Sequence, residues 1–223
     1  MQPQPFPYIV PKCEQAITTL YEDDDILVIN KPEFLLSQPG KHPDNHDSVL
    51  SRLQPNHPNV ALIHRLDLDT SGIMVVPLHK TACAHIARQF QLRQIHKTYT
   101  AVLWGLLEHD QGTLDYPIAK DWQHPPLQKI CYETGKSSIT KYRVLSRNKQ
   151  ENSTRVALDL LTGRTHQLRI HTRTFGHPII GCDLYATDEA FHMSPRLMLH
   201  ATELGFRHPA TEEPMEFLSP VPF

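Results

Sequence analysis

The strongest constraint on this chain is a charged island set between two apolar runs. Residues 61–76 read ALIHRLDLDTSGIMVV, so that His64, Arg65, Asp67, Asp69, Thr70 and Ser71 lie between Ile63 and the run from Gly72 to Val76. β-Branched residues dominate the flanks and predict buried strand, with Gly72 marking a turn or a close backbone approach. Charge beside buried strand is costly unless it is solvated or paired. The centre is therefore either a solvated turn or a site. Asp67 and Asp69, two residues apart, face the same side of an extended segment. They suit acid–base or nucleophilic work, and they equally suit capping of the turn before Gly72.

The rest of the chain supplies the frame. ILVIN (26–30) predicts a short strand stopped by Lys31-Pro32, and residues 39–48 predict a loop. Ala82, Ile86 and Phe90 recur at helical spacing within 78–96. Residues 97–105, 137–145, 154–163 and 196–206 predict strands, and 121–138 a proline-bearing loop. GRTHQLRIHTRTFG (163–176) predicts a helix capped by Thr162 and closed by Gly176, with His166, Arg169 and Arg173 on one face. Free N–H groups after Gly163, together with Arg164 and His166, make that helix start a candidate phosphate-binding site; a basic solvated face is the competing reading. Strands outnumber helices without regular alternation, which predicts an α+β fold with a largely antiparallel sheet.

Composition narrows the class. The net charge of −2 is no nucleic-acid signature by itself, but charge is sorted along the chain. Residues 1–60 sum to −4, 80–100 to +4, 141–177 to +6 and 183–216 to −5. Such sorting fits a basic face on a near-neutral protein. The four cysteines (Cys13, Cys83, Cys131 and Cys182) form no C-x-x-C pair, which disfavours zinc or a disulfide framework and fits a reducing, cytoplasmic setting. Fifteen histidines form no trusted metal pattern, so no metal is expected. There is no Walker A loop or G-x-G-x-x-G fingerprint, no secretory signal and no long apolar run, so neither a nucleotide cofactor nor a membrane is expected. Tyr99, between Thr98 and Thr100, reads from pattern alone as a half-buried structural tyrosine.

Five ordered motifs go further. HRLDLDTSGIMVV closely resembles the signature of the RluA-type pseudouridine synthases. YEDDDILVINKPEFLLSQPG, RQFQLRQIHKTYTAVLWG, TGRTHQLRIHTRTFGHPIIG and RLMLHA resemble the other motifs of that family, in order. DWQHPPLQKICYETGKSSITKY is most similar to the branch without a fused S4-type domain, which acts on 23S rRNA and tRNA. The first ~15 residues, rich in proline and glutamine, predict a loose tail, and with the tail taken as 1–19 the resemblance implies a catalytic domain at 20–223, working as a cofactor-independent monomer on RNA. It implies that Asp67 is the catalytic aspartate, that Tyr99 packs on the uracil and that Arg169 pairs with the catalytic carboxylate. Arg65 would enter the RNA stack when the base leaves, and Leu199 would form a wall of the pocket. His64, Arg164 and His166 complete the expected substrate-binding set.

The implied chemistry fits these residue types. The C1′–N1 bond breaks, uracil rotates, and C5 joins C1′, so no atoms are gained and no cofactor is required. Flipping a stacked base costs a few kcal/mol, and unstacked loops are the natural substrate. Against the family pattern, Phe34 replaces a usual glycine, Leu68 a frequent lysine and Cys182 a usual aspartate. Pro126 and Leu127 stand where residues are often basic. Two rival readings are a non-catalytic RNA-binding or RNA-folding module on the same scaffold, and a hydrolase of N-glycosidic bonds using Asp67 and Asp69.

Overall fold

A computed structural model describes residues 8–223, so the first seven residues of the expected tail lie outside the description. The chain divides into two compact units. The first unit comprises the described part of Gln2–Lys97 together with Ala201–Pro222, and the second comprises Thr98–His200 with Phe223.

In the first unit, β1 (Thr18–Glu22), β2 (Ile26–Lys31) and β3 (Ser71–Pro77) pair antiparallel in succession. Next to β3 runs β10 (Leu199–Arg207), which belongs to this unit from Ala201 onward, and β11 (Pro214–Leu218) pairs antiparallel with it. Alternation places Ile26, Val28, Ile73, Val75, Leu204 and Phe206 in one apolar cluster with Ile86 and Ile95. Ile86 belongs to α2 (Lys80–Gln91), whose first turn is capped by the His79 side chain accepting from the Ala82 amide. The intervening strand residues Leu27, Ile29, Met74 and Val76 are also buried, so β2 and β3 are covered on both faces. Gly72 is a close approach: a Cβ there would lie 2.3 Å from the Ala201 carbonyl oxygen, and its φ is +123°. Short α1 (Val49–Leu53) starts from a Ser48–Ser51 capping box.

In the second unit, β4 (His96–Trp104, in this unit from Thr98) pairs with β9 (Ser153–Leu160). β9 pairs with β8 (Ile139–Asn148), and β8 with β5 (Gln111–Asp115), all antiparallel. β6 (Ile118–Lys120) and β7 (Gln128–Ile130) make a separate hairpin. The helices are α3 (Gln167–Thr174) and short α4 (Asp188–His192). The architecture is α+β with predominantly antiparallel strands, as expected.

Four local expectations need correction. Residues 61–63 are not strand; only the downstream flank, β3, is. The 121–138 segment is not all loop, since β7 lies within it. The helix expected from Gly163 begins at Gln167, because Thr162 serves other partners: its hydroxyl accepts from the Ile139 amide and donates to Gln167 Oε1. Its basic residues do not share a solvated face, as Arg169 is buried and Arg173 exposed. Finally, the described end of the tail is not loose. The Arg52 guanidinium donates to the carbonyls of Cys13 and Gln15 while paired with Asp47, and Asn45 holds the backbone of Tyr8 and Val10.

Candidate active site

The charged island folds as an irregular connection that two side chains fasten from below. Ser37 Oγ donates to the Leu66 carbonyl (2.7 Å) and accepts from the Leu66 amide (3.1 Å), as a strand partner would. The Thr70 amide donates to the Asp67 carbonyl (3.2 Å) and closes a turn over Leu68 and Asp69. Beneath it lies Lys31, with 0% of its surface exposed. Its ammonium donates to the carbonyls of Pro32 (2.8 Å), Leu35 (2.8 Å) and Leu68 (3.2 Å), which uses all three of its donors. Burial lowers the Lys31 pKa to about 7, and the nearby carboxylates of Asp69 and Asp67 oppose that fall. The turn that carries Asp67 is thus anchored to the end of β2 by a buried cation. Sequence reasoning missed Lys31, because a lysine ending an apolar run reads as solvated.

Phe34, in the turn between Lys31 and Leu35, has φ +58°. That left-handed geometry explains why a glycine suits this position.

The remaining first-unit residues are placed as follows. Asp67 and Asp69 are half-buried and Arg65 is exposed. His64 Nε2 accepts from the Val75 amide (3.1 Å), and its ring lies 4.9 Å from that of Phe90. Burial, reinforced by the Lys97 charge, pushes its pKa down to about 3. A neutral His64 therefore braces β3, and any part it takes in substrate binding is not as a cation. In the basic segment, Lys80, Arg88 and Arg93 are exposed, whereas Lys97 is half-buried and burial lowers its pKa.

In the second unit, Tyr99 is buried in β4 opposite Leu158. Leu199 is buried at the start of β10. Arg169 is 2% exposed and sits on α3. Its guanidinium pairs with Asp183, its Nε donates to Cys182 Sγ (3.2 Å), and it lies 5.6 Å from the centre of the Tyr185 ring. Sequence reasoning missed these neighbours, although Cys182 was noticed as a departure. The next residue along, Asp183, supplies a carboxylate to Arg169. His166 caps α3 at φ +55° without a side-chain cap, and its Nδ1 lies 2.8 Å from the Tyr185 hydroxyl. Arg164 is exposed, with its amide donating to Gln167 Oε1. Lys141, Arg143, Lys149 and Arg173 are exposed, Arg147 is paired with Asp110, and half-buried Arg155 donates to the Phe223 carbonyl, which completes the cations of the second basic segment.

Among the described residues, one cluster has metal-ligand composition. Atoms of Asp23, Asp25 and His208 lie within 4.8 Å of one another. Hydrogen bonding accounts for that cluster. Asp23 accepts from the Asp25 and Ile26 amides and the Tyr21 hydroxyl and pairs with His208, while Asp25 pairs with His79. Among the described residues no helix is long and apolar enough to cross a membrane.

A family model described as RNA pseudouridylate synthase matches residues 25–174. The chain belongs to that family, the isomerases that turn uridine into pseudouridine within RNA. Among its relatives, the dual-specificity RNA pseudouridine synthase RluA of Yersinia pestis is 50% identical over 198 residues, 89% of this chain and 96% of that protein. The protein of the same name from Escherichia coli K12 is 45% identical over 213 residues, 96% of this chain and 97% of that one. Of solved structures, human RNA pseudouridylate synthase domain containing 1 matches with a TM-score of 0.80 at 30% identity, over 96% of this chain and 86% of that one. Family membership answers the two rival readings: the chain is an isomerase, neither a bare RNA-binding module nor a hydrolase.

Proposed function

We propose that this enzyme isomerises uridines in the loops of both 23S rRNA and tRNA, with Asp67 as the catalytic carboxylate. The dual range rests on the relatives named dual-specificity, which span nearly the whole chain. The observation that carries the role of Asp67 is its setting: a half-buried carboxylate on a turn anchored by a fully buried lysine. A carboxylate held in place on that turn can either attack C1′ or remove a proton at C2′. Tyr99 and Arg169 serve the same reaction, Tyr99 against the uracil and Arg169 toward the carboxylate. Arg65 is exposed and able to stack, and it fills the gap left by the departing base. Arg164, His166 and Leu199 belong to the substrate-binding set, and the exposed cations of both basic segments meet phosphate. Residues 20–223 serve as the catalytic domain, as a monomer and without metal or organic cofactor, in the cytoplasm.

The reaction supplies its own assay. When C5 of uracil bonds to C1′, the C5 hydrogen is released to water. RNA carrying tritium at uracil C5 should therefore release tritium with the purified protein, and Asp67→Asn should release none. Release from tRNA alone, or from rRNA alone, would refute the dual range. Release by Asp67→Asn would remove Asp67 from the chemistry.

A further inference from the structure

Tyr185 has no part in the reaction as derived above, yet it joins three elements of the second unit. It is 2% exposed. Its hydroxyl accepts from the Gln128 amide on β7 (2.8 Å) and lies 2.8 Å from His166 Nδ1 at the start of α3. A phenol has one proton and two acceptor positions. With the Gln128 N–H on one acceptor position, the phenol proton or the second acceptor position serves His166 in either protonation state of the imidazole.

The ring of Tyr185 meets the His166 ring edge-on at 5.6 Å and lies 5.6 Å from the Arg169 guanidinium, within cation–π range. The same short loop supplies Asp183 and Cys182 to that guanidinium. His166 has a left-handed φ of +55° and no side-chain cap of its own. Such a backbone persists only where surrounding contacts hold it. Arg169 follows three residues later on α3, so the geometry at His166 sets where Arg169 begins. On the far side of the connection, the β6–β7 hairpin exposes Trp122 (78%), with Lys120 Nζ 4.0 Å from its ring centre. An exposed aromatic beside a cation is the chemistry on which RNA bases stack.

We infer that Tyr185 is a positioning residue: its hydroxyl ties the β6–β7 hairpin to His166 and thereby fixes the start of α3 from which Arg169 serves the reaction. This rests on the function proposed above. The Tyr185 hydroxyl thus joins the hairpin to the start of α3, in addition to the His171–Tyr116 hydrogen bond farther along that helix.

The test uses Tyr185→Phe, which keeps the ring beside Arg169 and removes only the hydroxyl, together with His166→Ala and the double variant. Single-turnover tritium release is measured at saturating RNA, well below each protein's Tm, alongside hydrogen exchange of the Gln128 amide. Tyr185→Phe should lower the single-turnover rate about tenfold or more with RNA affinity changed less than about threefold, and should speed exchange at Gln128 about tenfold. The double variant should be within about twofold of the slower single variant, because both changes break one connection. A wild-type rate in Tyr185→Phe, multiplying effects in the double variant, or unchanged exchange at Gln128 would each overturn the inference. If the wild-type protein releases no tritium from any RNA, the proposed function fails instead, and the exchange measurement still decides whether the hydroxyl holds hairpin and helix together.

Discussion

Replacing Lys31 with methionine keeps a long side chain beneath the Asp67 turn and removes the charge. In the folded protein, burial brings the ammonium pKa down from 10.5 to about 7. In the unfolded chain it titrates near its ordinary value. Between those two values the unfolded state holds a proton that the native state has released, so stability rises with pH, by about 1.4 kcal/mol per pH unit for one proton. From pH 7 to pH 9 the Lys31 contribution is therefore a gain of roughly 2 kcal/mol, which Lys31→Met cannot show. At pH 7 itself two effects oppose each other. Three carbonyls lose their donor, at about 1–3 kcal/mol for each one left unsatisfied. Against this, the several kcal/mol spent on burying an ammonium is relieved. Urea unfolding of both proteins at pH 6, 7, 8 and 9 separates the two, because every other titrating group is common to them. The difference in stability should widen by roughly 2 kcal/mol between pH 7 and 9, in favour of the wild type. Parallel pH curves would refute the reading of Lys31 as a buried cation with a depressed pKa.

Three further outcomes follow from the same geometry. Asp67→Asn should abolish tritium release while RNA affinity, measured by filter binding, stays within about tenfold of wild type, because the phosphate contacts lie elsewhere. At Phe34, the left-handed φ makes glycine less costly than alanine: Phe34→Gly should be about 1 kcal/mol more stable than Phe34→Ala by urea unfolding, the reverse of the order in ordinary helix or strand. Asp183→Asn should cost about 1–3 kcal/mol in the same assay, since it removes a charged partner of the buried Arg169 guanidinium. That figure is set below the range for a fully buried pair because the Asp183 side chain is one-third exposed.

The sequence made some of this legible and hid the rest for identifiable reasons. Short apolar runs rich in β-branched residues yielded β2, β3 and β9, and the stripe of Ala82, Ile86 and Phe90 yielded α2. Local pattern suffices there because each element buries its own apolar face. The start of α3 was misplaced because Thr162 and Gly163 resemble a cap, whereas the Thr162 hydroxyl is committed to a strand amide 23 residues earlier. Lys31 and Arg169 illustrate the same limit for the site. Each is a buried cation with a partner from farther along the chain, Leu68 for one and Asp183 for the other. Periodicity carries no information about such pairings. Phe34 and Cys182 were visible as departures from a pattern. What they mean physically, a left-handed backbone and a sulfur beside the Arg169 Nε, required coordinates.

The most direct test of the account is a map of pseudouridine in cells. RNA from cells lacking the protein and from matched normal cells would be treated with the carbodiimide that tags pseudouridine, and reverse-transcription stops would be read across 23S rRNA and tRNA. The account predicts that one or a few stops in each RNA class vanish with the protein, return with the wild-type chain, and stay absent with Asp67→Asn. Stops that persist without the protein, or that return with Asp67→Asn, would contradict it.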